Sequence, residues 1–267
     1  VAELIKDIVE FSPMRKLVTV RRTSQRQVQF PKRTGVFTAS WVGEIESRSE
    51  NTGLTFGLED VPIHEQAAES YVSFANIDDS EFDLAALLRS EFAEQFGVAE
   101  GIALISGNGV KKPQGFLNAA STNSVNSGAA TTVTADGIIS LKYAVKTVYA
   151  QNGTYLLNRG TLEAIRKLKD GNGNWVWQPG LAVGRPNTLD GDPYVECPDM
   201  PALGAGNKSM AYGDWRRAMV LIDRMDISLL VDPYTRAGSG QMKYVARKRL
   251  GGQVVLPQAV AIMTCSA

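Results

Sequence analysis

SEFDLAALLRSEFAEQFGVAEGIALISG, residues 80–107, runs directly into NGVKKPQGFL, residues 108–117, and on this stretch the fold turns. Leu84, Leu88, Phe92, Phe96, Ala99 and Ala103 recur at helical spacing, and Leu87, Val98, Ile102 and Ile105 widen the stripe. Ser80 with Asp83 forms a capping-box-like start, with aspartate where Glu or Gln is usual. Gly107 suits a C-terminal cap. Over about twenty residues at ~1.5 Å each make a rod more than about 30 Å long, a spine for a domain of this size. Gly97 and Gly101 each cost that helix about 1 kcal/mol relative to alanine, so they mark a bend or a close packing contact.

On the N-terminal side of the spine, residues 1–10 read as an arm with a short amphipathic turn, stopped near Pro13. Residues 17–30 alternate apolar and polar positions (Val18, Val20, Val28, Phe30) and predict a strand. Residues 34–56 are rich in Gly, Ser, Thr and Glu yet carry Val36, Phe37, Trp41, Val42 and Ile45. That is too apolar for disorder and too polar for a core hairpin. It predicts a long two-stranded loop projecting from the body, stable only when something else covers it. Residues 69–77 read as its returning strand. On the C-terminal side lies a mixed α/β region with helices at 135–150 and 161–168, a strand at 154–157, and an Asn172-Gly173 pair suited to a tight hairpin. Strands at 210–212, 218–222, 227–231, 242–246 and 254–263 complete an α+β chain.

The bulk properties narrow the function. The 267 residues are 44% hydrophobic and 21% charged, enough to bury a sizeable core. Twenty-eight basic residues balance 28 acidic ones, so net charge announces neither a nucleic acid nor a membrane partner. The charges are segregated instead. Residues 1–33 are dominated by Lys and Arg, residues 44–100 by Asp and Glu, and residues 236–249 turn basic again. Such blocks suggest that unlike segments meet, within a subunit or between subunits. No apolar run approaches the ~20 residues of a membrane span, and no signal peptide is visible. Cys197 and Cys265 are isolated and read as free, buried thiols of a reducing compartment rather than a disulfide. The chain starts at Val1, which fits either proteolytic processing or a trimmed end.

A search for chemistry finds none. There is no Gly-x-Ser-x-Gly elbow. The single histidine, His64, has no cysteine or second histidine near it, so no catalytic, cofactor or metal site is expected. Residues 204–209 resemble a phosphate loop faintly, but Asn207 stands where glycine should precede Lys208. Trp175 and Trp177 could stack on bases, although alternating aromatics in a hairpin are more commonly core or interface anchors.

Several ordered motifs nevertheless carry a resemblance. They are Ile105-Ser106-Gly107-Asn108-Gly109 running into Lys112-Pro113-Gln114-Gly115-Phe116-Leu117; Leu168-Lys169-Asp170-Gly171 with Trp175 and Trp177; Leu189-Asp190-Gly191-Asp192-Pro193-Tyr194-Val195 closing at Met200-Pro201; and Gly213-Asp214, Asp223-Arg224 and Tyr234-Thr235. In this order, over nearly the whole chain, they resemble the major capsid family of tailed double-stranded DNA phages, with its HK-ninety-seven type shell fold. The resemblance implies an N-terminal arm (1–15), a P-domain strand (16–33), an E-loop lying across an adjacent subunit (34–70), and a P-domain with the spine helix (71–118). An axial A-domain (119–223), P-domain strands (224–252) and a C-terminal strand joined to the A-domain (253–267) would follow. It also implies self-assembly into pentamers and hexamers, nonspecific contact with packaged DNA, and portal, decoration or scaffolding partners. The places would be the virion and, during assembly, the host cytoplasm.

Intersubunit contacts are expected from Trp41 and from acids Glu44, Glu46 and Glu50 meeting Arg21, Arg22 and Arg26 or Arg247, Lys248 and Arg249. Some relatives weld their shells through an E-loop lysine and a P-domain asparagine. Here no lysine lies between Arg33 and Lys111 and no asparagine follows Asn207, so a noncovalent shell is expected. An encapsulin-like nanocompartment shell shares the fold and stays open as an alternative. A soluble ligand-binding module or an unrecognised enzyme is a second.

Overall fold

The computed structural model describes residues 12–48, 50, 53–79, 83–177 and 188–266. A short helix α1 (Met14–Leu17) leads into β1 (Thr19–Arg22), β2 (Gln27–Arg33), β3 (Phe56–Pro62) and β4 (His64–Ser73). Helices α2 (Phe74–Asp78) and α3 (Leu84–Ser106) follow, then β5 (Asn123–Asn126), α4 (Ala135–Tyr143), α5 (Thr147–Ala150), β6 (Thr154–Leu157) and α6 (Arg159–Arg166). The chain finishes with β7 (Thr188–Leu189), β8 (Asp192–Glu196), β9 (Lys208–Gly213), α7 (Trp215–Ala218), β10 (Met219–Asp232), β11 (Gln241–Val254) and β12 (Val260–Thr264). They build a four-stranded sheet in the order β1-β10-β11-β4, a six-stranded sheet in the order β5-β12-β9-β6-β8-β7, and a separate ribbon of β2 and β3.

Helix α3 is the predicted spine, 23 residues long. Its cap differs from the expected one. Asp83 is itself the N-cap, its carboxylate accepting from the Ala85 and Ala86 amides at 3.0 Å each, and Ser80 lies outside the described residues. Phe92 and Phe96 bury against Tyr244 and Ala246 of β11, with Leu88, Ala68, Val72 and Leu229 around them. Each ring removed from water contributes roughly 1.5–3 kcal/mol. Nearer the C-terminus, Leu104 and Ile105 enter the main core with Phe116, Trp215, Leu221 and Leu250.

The buried face is rotated from the predicted stripe. Ala99 and Ile102 lie exposed, while Glu100 and Gly101 are buried. The segment just before α1 lies across Gly101, where a Cβ would sit 2.4 Å from the Cβ of Ser12 and 2.9 Å from a carboxylate oxygen of Asp199. Gly107 ends the helix in extended conformation at φ −61°, so left-handed freedom is not its purpose. It is needed because a Cβ there would lie 2.1 Å from the Pro113 carbonyl oxygen.

Several expected strand boundaries shift, each for a local reason. The strand predicted over 17–30 is two strands: β1 pairs in parallel with β10, and β2 leaves for the ribbon. The strands expected at 218–222 and 227–231 form one 14-residue strand, β10, and register shifts between Asp223 and Ser228 absorb the polar interruption. The strand expected over 254–263 divides at a 3-10 turn, Pro257–Ala259, because proline brings no N–H to a ladder. Helix 135–150 breaks into α4 and α5. The turn after Lys169 is wider than a two-residue hairpin, with the Asp170 carboxylate accepting from the amides of Asn172 and Asn174.

A buried ion cluster ties these pieces together. Glu100 of α3, 5% exposed, accepts from Lys248 of β11 and from Arg15 of α1 at 2.9 Å. Arg15 also donates to Asp223 of β10. Removing one partner of a buried pair strands the other charge, at a cost of about 3 kcal/mol. We therefore expect Glu100→Ala to lower the unfolding free energy of the subunit by about that amount in denaturant titration. Glu163→Ala, which breaks only the exposed pair with Lys167, should leave the midpoint unchanged.

Candidate assembly surface

The ribbon of β2 and β3 grows out of the four-stranded sheet. At its base Val28 and Phe30 pack with Val61, Val220 and Ile222, and the Arg21 guanidinium lies 5.1 Å from the Phe30 ring centroid. The ladder runs from Gln27↔Pro62 to Arg33↔Phe56, braced by Lys32 and Glu59 at 3.5 Å. The Thr34 and Gly35 amides both donate to the Thr55 carbonyl, at 2.9 and 3.2 Å, and close it. The two-stranded structure expected over 34–56 is thus displaced toward the base. Beyond Gly35 the glycines, serines and threonines offer no alternation for a ladder, and the described residues of the tip form only a turn. In it Glu46 accepts from the Gly43 amide at 3.0 Å. The strand that returns beside β2 is β3, earlier than the segment expected over 69–77, which instead belongs to β4, paired with β11, and to α2 after Ser73.

Trp41 and Ile45 at the tip are 103% and 98% exposed. Val36, Phe37, Phe56 and Leu58 are also exposed along the loop. Contiguous exposed apolar residues with polar neighbours mark a binding surface.

The structure separates the candidate contact residues. Glu44 and Glu50 are exposed and make no ion pair among the described residues. Arg22 borders a cleft with Asp223 and Asp226, and Arg26 borders another with Glu65, Arg224 and Arg249. Strand alternation splits the basic triplet on β11. Lys248 turns inward to Glu100, whereas Arg249 turns outward to Glu65 at 2.6 Å, and Arg247 faces outward with no ion pair. Lys243 meets Glu69 at 2.8 Å, and hydrogen bonds from Lys243 and Tyr71 pull the Glu69 carboxyl below its usual range. Part of the charge segregation is therefore satisfied inside one subunit.

Other groups singled out in the sequence have structural duties. His64 opens β4 with a buried Nε2 that has no hydrogen-bond partner among the described residues, and burial lowers its pKa. Lys208 donates to the Leu117 carbonyl, which gives the 204–209 turn a packing role. Trp177 donates to the Thr188 carbonyl at 3.1 Å, and Trp175 carries Lys169 over its ring at 4.5 Å. Both cysteines are free and buried. A further polar cluster, Lys142 between Asp190 at 3.2 Å and Asp192 at 3.0 Å with Tyr212 donating to Asp192 at 2.8 Å, is closed on itself. Among the described residues no group of acids, histidines and cysteines could hold a metal, and no helix is long and apolar enough to cross a membrane.

A spine helix on one sheet, a second sheet domain, and a projecting ribbon with an apolar tip uncovered by the described residues of its own chain define a shell-building subunit of the HK-ninety-seven type. The chain belongs to the phage capsid family, which it matches over residues 1–265. It is similar to the capsid of a native GTA particle computed with C5 symmetry, at 30% identity and a TM-score of 0.91, covering 100% of this chain and 94% of that one. The empty GTA particle capsid gives 28% identity and a TM-score of 0.89 over the same shares. The Microbacterium phage Oxtober96 chain shares the fold at 17% identity and a TM-score of 0.78, covering 100% of this chain and 95% of that one. No curated protein matches the sequence. The chain is a major capsid protein, a virion component that forms an icosahedral shell.

Since Glu65 and Glu69 hold the sheet together while Glu44, Glu46 and Glu50 do not, reversing the two sets should have different consequences. Glu44→Lys, Glu46→Lys and Glu50→Lys together should leave the melting temperature of the unassembled subunit unchanged and reduce particle yield. Glu65→Lys with Glu69→Lys should lower that melting temperature. Equal melting shifts would contradict the partition.

Proposed function

We propose that copies of this chain join as pentamers and hexamers into a shell held only by noncovalent contacts around double-stranded DNA. The observation that carries this is the loop tip, where Trp41 and Ile45 are almost fully exposed on a ribbon that buries only its base. Repeated heterologous contacts of that kind close into rings. The C5 symmetry of the GTA particle capsids supports pentamers. Portal, scaffolding or decoration proteins would complete the particle, and assembly would take place in the host cytoplasm.

The noncovalent reading rests on the reactive groups. A lysine–asparagine weld needs an amine on the loop and an amide on the late strands. The sequence has no lysine between Arg33 and Lys111 and no asparagine after Asn207. Purified protein should form hollow particles by electron microscopy. Particles boiled in detergent and reductant should run as one band near 28.9 kDa, and a ladder of covalent multimers would refute the noncovalent shell. Trp41→Ala should leave the subunit folded but raise the concentration needed for assembly at least about tenfold, since a buried interface tryptophan is typically worth ~2 kcal/mol or more. A stable monomer at high concentration would overturn the reading as a whole.

A further inference from the structure

We infer that the cleft at the root of the ribbon, lined by Arg26, Arg224 and Arg249, binds a free divalent oxyanion of the phosphate class, and that the bound anion draws the ribbon root onto the sheet. The binding stands apart from the shell reading above, whereas its consequence for assembly rests on that reading.

Three segments bring these arginines together. Arg26 lies in the turn that joins β1 to β2. Arg249 lies on β11, opposite Met225 of β10. Arg224 reaches the cleft because of the bulge in β10. Asp223 pairs with Leu250 and Met225 with Arg249, so Arg224 is an extra residue with no partner on β11. A bulge re-aims a side chain out of the ordinary alternation. Here the re-aimed guanidinium joins Arg26, Arg249 and Glu65 around one cleft, and Ile63, where β3 passes into β4, gives that cleft an apolar wall.

The charges in the cleft do not balance. Glu65 is the acid that lines it, and Arg249 already holds that carboxylate, donating from Nε and Nη2 at 2.7 and 2.6 Å. Arg26 and Arg224 make no ion pair among the described residues. Asp223, beside Arg224 in the chain, turns to the spine side and is taken by Arg15. Asp226 lines the adjoining cleft, where Arg22 offsets it. Three guanidiniums around one carboxylate leave two positive charges, and Arg224 and Arg249 are half-buried, where salt screens them less. A second carboxylate would cancel only one of those charges. A phosphoryl group carries about −1.5 to −2 at neutral pH and offers several acceptor oxygens, so it cancels both. Arginine at all three positions suits this ligand, because the planar fork meets phosphate oxygens two at a time. The other basic cleft, at Lys16, Arg216 and Arg217, is less suited. Lys16 and Arg216 are exposed and free to turn into water, and Arg217 is paired with Asp214 at 3.7 Å.

The position gives the anion a structural effect. The ribbon leaves just after Arg26 and returns at Ile63, so the approach of Arg26 to β10 and β11 sets how the ribbon stands on the sheet. Without an anion the like charges repel and push the turn away. With one bound, the same groups are drawn together and the loop is held ready for a neighbour.

Thermal unfolding of the full-length, unassembled subunit tests the site, with sodium pyrophosphate as the probe against sodium chloride at matched ionic strength. At about ten times its dissociation constant the anion should multiply the folding equilibrium constant about elevenfold and raise the melting temperature by a few degrees. Arg26→Ala with Arg224→Ala should abolish the shift, and Lys16→Ala with Arg216→Ala should preserve it. Arg26→Ala alone, at an exposed turn position, should weaken binding at least about tenfold, which keeps the test valid if the double variant does not fold. No shift in the native subunit, or a shift that survives loss of Arg26, would overturn the site. A short DNA duplex that raises the melting temperature where pyrophosphate does not would overturn the free anion as its ligand. None of these outcomes touches the shell reading. In assembly, pyrophosphate should raise particle yield at least about twofold over matched chloride for the native protein and not for Arg26→Ala. Equal yields would overturn the effect on the ribbon, whereas failure of the native protein to form particles at all would overturn the shell reading and leave the melting shift to decide the site.

Discussion

The carboxylate of Glu100 is the point on which the subunit's geometry depends. It sits almost without solvent on the spine helix and meets a cation from α1 and another from β11. Asp223 of β10 takes the other end of Arg15. Two positive and two negative charges thus join four elements that are distant in sequence. A buried network is a poor source of net stability, because the desolvation cost nearly offsets the attraction. It does penalise misplacement, since sliding α1 or β11 along the helix would leave a charge in the protein with no partner. Gly101 reinforces the same register sterically by letting Ser12, just before α1, approach the helix axis. The origin of the loop is set by the outcome, since the ribbon of β2 and β3 departs after β1 and returns into β4 of the sheet that Glu100 holds against the helix.

Much of this was legible from the residues, and the failures share a cause. The spine helix, the projecting loop and the apolar character of its tip follow from periodicity and composition, and the capsid resemblance follows from ordered motifs. Glu100 was not legible, because a glutamate beside a helical stripe reads as a solvated flank and its partner Arg15 lies 85 residues away. The Arg247-Lys248-Arg249 triplet read as one basic block, yet two-residue alternation sends the middle cation inward and the flanking two outward. Residues 223–226 read as a break between strands because a bulge leaves no signature in the pattern of one chain. Leu230 falls inside the strand expected over 227–231, whose two faces the sequence does not tell apart. Only the three-strand register shows that it lies on the face that α3 leaves bare.

The exposed surface also explains how the subunit avoids sticking to itself in the wrong way. A ribbon of two strands is marginal alone, and its long edges would invite pairing with other chains. This ribbon stops its ladder at Arg33↔Phe56 and continues as a tip with only a turn. A tip without a strand edge offers no backbone template, so its adhesion depends on side chains: one tryptophan, one isoleucine and a few acids. Side-chain recognition requires a matching face, whereas backbone pairing accepts almost any exposed edge. Exposed ion pairs contribute little each, typically 0–1 kcal/mol, and are screened by salt. They set orientation while the aromatic anchor supplies affinity. Contacts that are weak singly and repeated around a closed ring let misplaced subunits dissociate before the shell closes over them, which an extended strand pairing would not allow.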